Sequence, residues 1–149
     1  MNDLLRVENL HVSIDLPRST VEAVRGVDFR VRPGSTVALV GESGSGKSIT
    51  AHAIMGLLPE NAHITQGSIR FSNPAMQGAT VDLATLDPTC RELCAIRGGC
   101  ISMVFQEPMT SLSPLHTIGD QIGEALKYHE ACSGAHCRDR TVALLERVG

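Results

Sequence analysis

The chain is poor in several features that would settle its class early. No apolar run reaches the roughly 20 residues a helix needs to cross a bilayer, and Met1-Asn2-Asp3 lacks the form of a secretory leader. No basic cluster is present. With 13 Lys and Arg against 16 Asp and Glu, the formal net charge is −3, which argues against nucleic acid as the main partner. Arg25, Arg30 and Arg32 lie close together, but strand alternation puts the last two on one face, as on a solvated strand edge. Five cysteines, an odd number without a leader, point to reduced thiols rather than a disulfide framework. Cys90, Cys94 and Cys100 show no C-x-x-C spacing, while His129, Cys132, His136 and Cys137 fit no standard zinc pattern and read as a polar turn between helices. Internal repeats and low-complexity tracts are absent. What remains is 149 residues, 42% hydrophobic, enough for one domain with a sizeable core.

Against this background one stretch stands out. Val37 to Val40 is a continuous apolar run, the pattern of a strand buried on both faces. It leads into Gly41-Glu42-Ser43-Gly44-Ser45-Gly46-Lys47-Ser48, which matches the phosphate-binding loop pattern G-x-x-x-x-G-K-[ST]. Such a loop turns successive peptide N–H groups inward around a phosphate, and Gly41, Gly44 and Gly46 permit the backbone angles and close approach this needs. Lys47, one of only two lysines in the chain, supplies a cation that can reach the β- and γ-phosphates, and the Ser48 hydroxyl is a hard oxygen ligand suited to Mg²⁺. Ile49, Ala53, Ile54, Leu57 and Leu58 then recur at helical spacing, and Pro59 is the expected stop.

Before the loop, Leu4 to Leu16 alternates weakly and reads as a strand or two; Pro17 to Thr20 is turn chemistry, and Val21 to Val31 reads as the returning strand. Arg32-Pro33-Gly34-Ser35 is a tight turn. After the loop helix, Gly67 to Phe71 is a short strand and Asn73 to Gly78 a loop. A helix carrying Leu93 and Ile96 is expected with Asp87 as N-cap and Pro88 at its first helical position, ended by Gly98 and Gly99. Ile101 to Phe105 is the second strongly apolar strand and leads straight into Gln106 and a proline-bracketed loop. Thr117-Ile118-Gly119-Asp120 has the form of a capping box. The helix behind it carries Ile118, Ile122, Ala125 and Leu126 on one face, and a last helix carries Val142, Leu145 and Val148.

With Gly41 to Ser48 and Ile101-Ser102-Met103-Val104-Phe105-Gln106-Glu107-Pro108-Met109-Thr110-Ser111-Leu112-Ser113-Pro114 in place, the chain resembles the ATP-binding subunit of ABC transporters. Within that family it is similar to the oligopeptide, dipeptide and nickel importer group. Ala51 to Pro59 and Leu115 to Ile118 tilt it toward the twin-cassette ATPases that serve microcin C and oligopeptides. The resemblance implies an α/β P-loop NTPase core with an N-terminal antiparallel β subdomain and the start of an α-helical subdomain. It divides the chain into 1–36 (antiparallel β), 37–58 (P-loop strand and helix), 59–105 (β insert and core strand) and 106–149 (glutamine loop and helical subdomain). The domain would be incomplete, an N-terminal part stopping before the family's Leu-Ser-Gly-Gly-Gln signature, Walker B carboxylates and switch histidine.

The same resemblance implies ATP and Mg²⁺ as cofactors. Gly41, Glu42, Ser43, Gly44, Ser45, Gly46, Lys47, Ser48 and Ile49 would hold the nucleotide, Ser48 and Gln106 the metal, and Lys47 and Gln106 would serve catalysis. A neutral glutamine amide suits that place because it offers an oxygen to Mg²⁺ and an N–H to water without adding negative charge. Ile14 stands where the family usually stacks adenine on an aromatic ring; no aromatic precedes Phe29, so apolar contact would replace stacking. Implied partners are membrane permease subunits through the Gln106 loop, a second ATP-binding domain and, indirectly, a solute-binding protein. The implied location is the cytoplasmic face of the bacterial inner membrane. Two other classes compete with an importer ATPase: a non-catalytic nucleotide-binding module, and a DNA-repair ATPase, which the acidic balance disfavours.

Overall fold

The computed structural model describes residues 3–72, 79–105, 112–130 and 132–149, which fall into two compact units, 1–100 and 101–149. Gln106 and the loop to Ser111, like the expected loop from Asn73 to Gly78, lie outside the described residues.

The first unit is built on an antiparallel sheet of order β2-β1-β3-β4, with β1 Leu5–Leu16, β2 Ser19–Val31, β3 Ala62–Ser72 and β4 Thr80–Asp82. β1 and β2 form a hairpin closed at Leu16 opposite Ser19, and β3 pairs along the other edge of β1. The weak alternation of β1 has a structural cause. Its apolar phase slips between Val7 and Leu10, where the register shifts against both neighbours and Asn9 takes a positive φ of 45°. This is a bulge, so one continuous strand carries two phases. The Asn9 N–H donates to Asp28 Oδ1 at 2.9 Å. On β3, Gly67 faces the bulge with φ 100°, and a Cβ there would stand 2.4 Å from the Asn9 carbonyl oxygen and 2.6 Å from that of Glu8. Only glycine fits that position.

Val7, Leu10, Val12, Val24, Ile69 and Phe71 are buried and form the apolar heart of the sheet. Burying a side chain of this size stabilises by about 1.5–3 kcal/mol. β3 is longer than expected from Gly67 to Phe71: its first half, Ala62 to Gln66, carries only a short alternation, Ala62 and Ile64 against His63 and Thr65. β2 is an edge strand, and Arg30 and Arg32 sit on it or at its end, with Arg32 4.0 Å from Asp3. The turn after it is closed by Ser35: its N–H donates to the Arg32 carbonyl at 3.1 Å and its hydroxyl to the same oxygen at 2.8 Å.

Helix α1 runs from Lys47 to Met55. It ends a turn before Pro59, a correction to the expected stop: Gly56 adopts the left-handed conformation and its N–H and that of Leu57 close on Ala53 and His52. Arg97 completes this cap. Its Nε donates to the Met55 carbonyl and Nη2 to that of Gly56, both at 2.7 Å, and Nη2 also reaches the Pro88 carbonyl at 2.9 Å. A cation at the negative end of the helix dipole is favourable there. A short 3₁₀ turn, Leu83–Thr85, precedes α2, Arg91–Ile96. The expected N-cap at Asp87 is also corrected. Asp87 is spent on a local turn, accepting from the N–H and hydroxyl of Thr89, and Cys90 caps α2 with its sulfur 3.4 Å from the Leu93 nitrogen.

Two expected strands are not strands. Val37 to Val40 pairs with no ladder and Val40 is 90% exposed; Ser102 to Phe105 is equally irregular, with Val104 94% exposed. A strand apolar on both faces is of the type that lies inside a parallel sheet between two covered layers. The sheet described for this chain is antiparallel and is made of other segments.

The second unit is a helical hairpin, α3 Ile118–Glu130 and α4 Gly134–Val148. Thr117 opens α3 with one arm of the expected capping box: the Asp120 N–H donates to its hydroxyl oxygen at 3.1 Å, while the hydroxyl donates to Asp120 Oδ2 at 2.7 Å in a side-chain bond. Only part of these helices' apolar sets is packed. Ile122, Gly123 and Leu126 of α3 face inward with Cys137, Thr141 and Leu144 of α4, while Ile118, Ala125, Val142, Leu145 and Val148 are exposed. Small Gly123 lets the helices approach, with Cys137 Sγ donating to its carbonyl at 3.5 Å. Cys132 and Cys137 therefore belong to the hairpin's core rather than to a polar turn. Burial, then the neighbouring Cys137 thiol, pushes the Cys132 thiol above its ordinary value.

Candidate nucleotide-binding site

Gly46 joins the loop to α1 with φ 88°, and a Cβ on it would stand 2.4 Å from the Ala23 carbonyl oxygen of β2. The glycine thus permits both the left-handed angle and the seating of the loop on the sheet. The first intrahelical bond is Thr50 N–H to Gly46 O at 2.9 Å. The N–H groups of Lys47, Ser48 and Ile49 consequently have no acceptor within the helix, and they stand at its positive end. An anion binds favourably at such a point.

Lys47 folds back over the loop. Its Nζ donates to the carbonyls of Gly41 at 2.8 Å and Glu42 at 2.6 Å and to Ser45 Oγ at 3.2 Å. The Ser45 N–H donates to the Glu42 carbonyl at 3.2 Å, closing the turn. These acceptors are neutral oxygens, so an incoming phosphate can replace them with a stronger charge-assisted contact. The Ser48 side chain is exposed one residue further on.

A cavity of about 430 Å³ lies against this helix start. It is lined by Gly44, Ser45, Gly46, Lys47, Ser48 and Ile49 from the loop and α1, and by Ile14, Val21, Glu22, Ala23 and Arg25 from the hairpin of β1 and β2. The structure therefore brings Ile14 together with the loop residues, although 33 positions separate it from Lys47 (47 minus 14). Gly41 and Glu42 act at one remove, through the carbonyls that hold Lys47, and Ser43 stands exposed in the loop. Gln106 lies outside the described residues. Val21, Glu22, Ala23 and Arg25 were not expected as site residues from sequence. Their signal is the pairing of Ile14 with Val21 across the hairpin, which needs the strand register. Among the described residues no group of three or more His, Cys, Asp or Glu is placed to hold a metal ion.

A sequence profile of the ABC transporter family matches residues 24–149. The chain belongs to the ABC transporter family. It is 47% identical over its whole length to the dipeptide transport ATP-binding protein DppD of Bacillus subtilis, of which it covers 42%. Over 98% of its length it is 50% identical to the peptidoglycan transport ATP-binding protein YejF of Agrobacterium fabrum, covering 25% of that protein. Among solved structures, it is similar to the ATP-binding cassette MJ0796 in a dimeric post-hydrolysis state bound to ADP and Pi. The TM-score is 0.75 at 28% identity, over 95% of this chain and 56% of that one. The fold is accordingly that of an ABC ATPase cassette, an α/β P-loop NTPase with an antiparallel β part and helices, of which this chain spans about half. It spans about two fifths of the length of DppD.

Proposed function

We propose that this ABC chain binds ATP with Mg²⁺ and that the protein it represents hydrolyses ATP to drive import of peptides or related solutes through a membrane permease. The observation that carries this reading is the cavity at the start of α1, where Lys47, Ser48 and three helix N–H groups without intrahelical acceptors meet. The loop N–H groups and the α1 dipole would hold the β-phosphate, and Lys47 would leave its carbonyls to neutralise the γ-phosphate. The donor set fits Mg²⁺: Ser48 offers an exposed hard oxygen beside the place the phosphates would take. Bound there, the metal would neutralise charge on the β- and γ-oxygens. Gln106 is proposed as the second oxygen ligand and as the group that orients water.

The importer names of DppD and its like support peptides as cargo, and the dimer of the MJ0796 cassette supports pairing with a second ATP-binding domain. The permease would meet the Gln106 loop, a solute-binding protein would act beyond it, and the protein would sit on the cytoplasmic face of the inner membrane. On this reading the chain divides as 1–36, 37–58, 59–105 and 106–149, the four parts of the cassette named from sequence. Calorimetric titration with Mg·ATP tests the site. Lys47→Ala should weaken binding at least about tenfold, a loss of about 1.4 kcal/mol. Unchanged affinity in that variant would sink the proposal.

One observation favours binding without turnover for these 149 residues by themselves. The only carboxylate in the cavity wall among the described residues is Glu22, which lies 3.9 Å from Arg25. It is exposed to solvent beside that arginine, and no second carboxylate lines the wall among the described residues. Measurable ATP hydrolysis by the purified chain would refute this second reading.

A further inference from the structure

The turn that starts α4 is held by two sulfur atoms. Cys132 stands just before the N-cap residue Ser133, and Cys137 is the fourth residue after it. Side chains at these two positions meet when an apolar pair fixes the angle at which a chain enters a helix. Here both members are thiols, free and buried, packed together with Leu126. The helix start has little else to hold it. Ser133 makes no side-chain bond to α4, and the first bond of the helix, from the Cys137 N–H to the Ser133 carbonyl, is 3.4 Å long.

Cys137 also lines a cavity of about 300 Å³ between α3 and α4, whose wall does not include Cys132. The wall carries two cations, Lys127 and Arg138. Its one carboxylate, Asp120, already accepts a bond from the Thr117 hydroxyl. A small anion is therefore favoured beside Cys137. Thiols held in contact within one short turn react with each other at high effective concentration, and exchange with a disulfide is their ordinary chemistry.

We infer that Cys132 and Cys137 form a thiol–disulfide modification site, oxidised by a small anionic disulfide of the glutathione class that enters the cavity beside Cys137. The Cys137 thiolate attacks one sulfur of that disulfide, expels the other half as a thiolate and is left as a mixed disulfide. Cys132 gives its proton to the departing thiolate, attacks the Cys137 sulfur and expels the second half. The chain loses two hydrogens with two electrons, and the small disulfide is reduced to two thiols. Burial holds the Cys132 proton more tightly than usual, which suits the second role rather than the first. The closed form ties the first turn of α4 to the connection from α3. The inference stands independently of the nucleotide-binding reading.

The test is equilibration of the purified chain with glutathione and glutathione disulfide, followed by acid quenching, blocking of free thiols and digestion with trypsin. Cleavage after Lys127 and Arg138 releases Tyr128 to Arg138, which holds both thiols and no other cysteine. In the oxidised chain that peptide should carry no blocking group and be two hydrogens lighter than its reduced form. The internal disulfide should be favoured at least about tenfold more in the folded chain than in the same chain unfolded in urea, a difference of about 1.4 kcal/mol. Equal or weaker formation in the folded chain overturns the inference. Cys132→Ser should trap a mixed disulfide at Cys137, whereas Cys137→Ser should leave Cys132 unmodified; the reverse pattern overturns the order of attack. Lys127→Gln should slow oxidation by glutathione disulfide about threefold and leave oxidation by the neutral hydroxyethyl disulfide unchanged. An equal effect on both reagents, or on neither, overturns the anionic class.

Discussion

Two sets of apolar segments in this chain meet opposite fates. β1, β2 and β3 bury Val7, Leu10, Val24 and Ile69 in a paired sheet, whereas Val37 to Val40 and Ser102 to Phe105, more apolar per residue, form no strand and leave Val40 and Val104 almost fully exposed. Apolar content therefore does not decide which segment becomes a strand. Pairing does. β1 and β2 are joined by a short turn, so each supplies the other's hydrogen-bond partners at small loop-closure cost. An apolar run of the parallel type needs neighbours brought from distant parts of a chain, with covering layers on both faces. The MJ0796 cassette, which this chain covers to 56%, is long enough to hold further such elements.

The contrast can be broken most forcefully at the bulge. Gly67→Ala places a Cβ against two backbone carbonyls at a φ of 100°, and should cost about 4 kcal/mol or prevent folding. Denaturant unfolding measures it, and a loss below about 1 kcal/mol would mean that β3 does not pack on β1 as described. Leu10→Ala, at a fully buried site, should cost about 3 kcal/mol in the same assay.

A smaller effect is expected from pH in the helical hairpin. The Cys132 thiol is raised, chiefly by burial, above an ordinary value of 9.0. The folded form thus holds its proton more tightly than the unfolded form. The stability this gives is complete below that value and is lost as pH rises through the folded-state pKa. Melting curves of the chain between neutral and alkaline pH should show the hairpin weakening. Cys132→Ala should flatten that alkaline decline, and an unaltered slope would remove the thiol as its cause. Smallest of all, Val40→Ser should change stability by no more than about 0.5 kcal/mol, since Val40 is 90% exposed. A large loss there would show that the run is buried in solution, and the contrast with Leu10 would fail.

Much of the site was legible because its chemistry is local. The spacing of Gly41, Gly44, Gly46, Lys47 and Ser48 states a loop geometry over eight consecutive residues, and the structure places α1 directly behind it. The capping box at Thr117 and Asp120 was legible for the same reason. Helix ends were harder. Gly56 competes with Pro59 as a stop, and what favours the earlier one is Leu93 and Arg97, more than 35 residues away, packed against the Gly56 turn. Large apolar residues alone do not mark the inward faces of α3 and α4. Close helix approach instead uses Gly123 and Cys137, which let backbones come together.

By itself the sequence determined the phosphate-binding loop, the hairpin before it and the family, since each is written in short runs whose backbone angles or hydrogen bonds close on themselves. Tertiary structure alone decided what stands across from the loop. Register pairs Ile14 with Val21, the bulge at Asn9 shifts that register, and Gly46 seats the loop on Ala23. Those contacts join segments tens of residues apart. A change of one residue in pairing would turn different side chains toward the cavity.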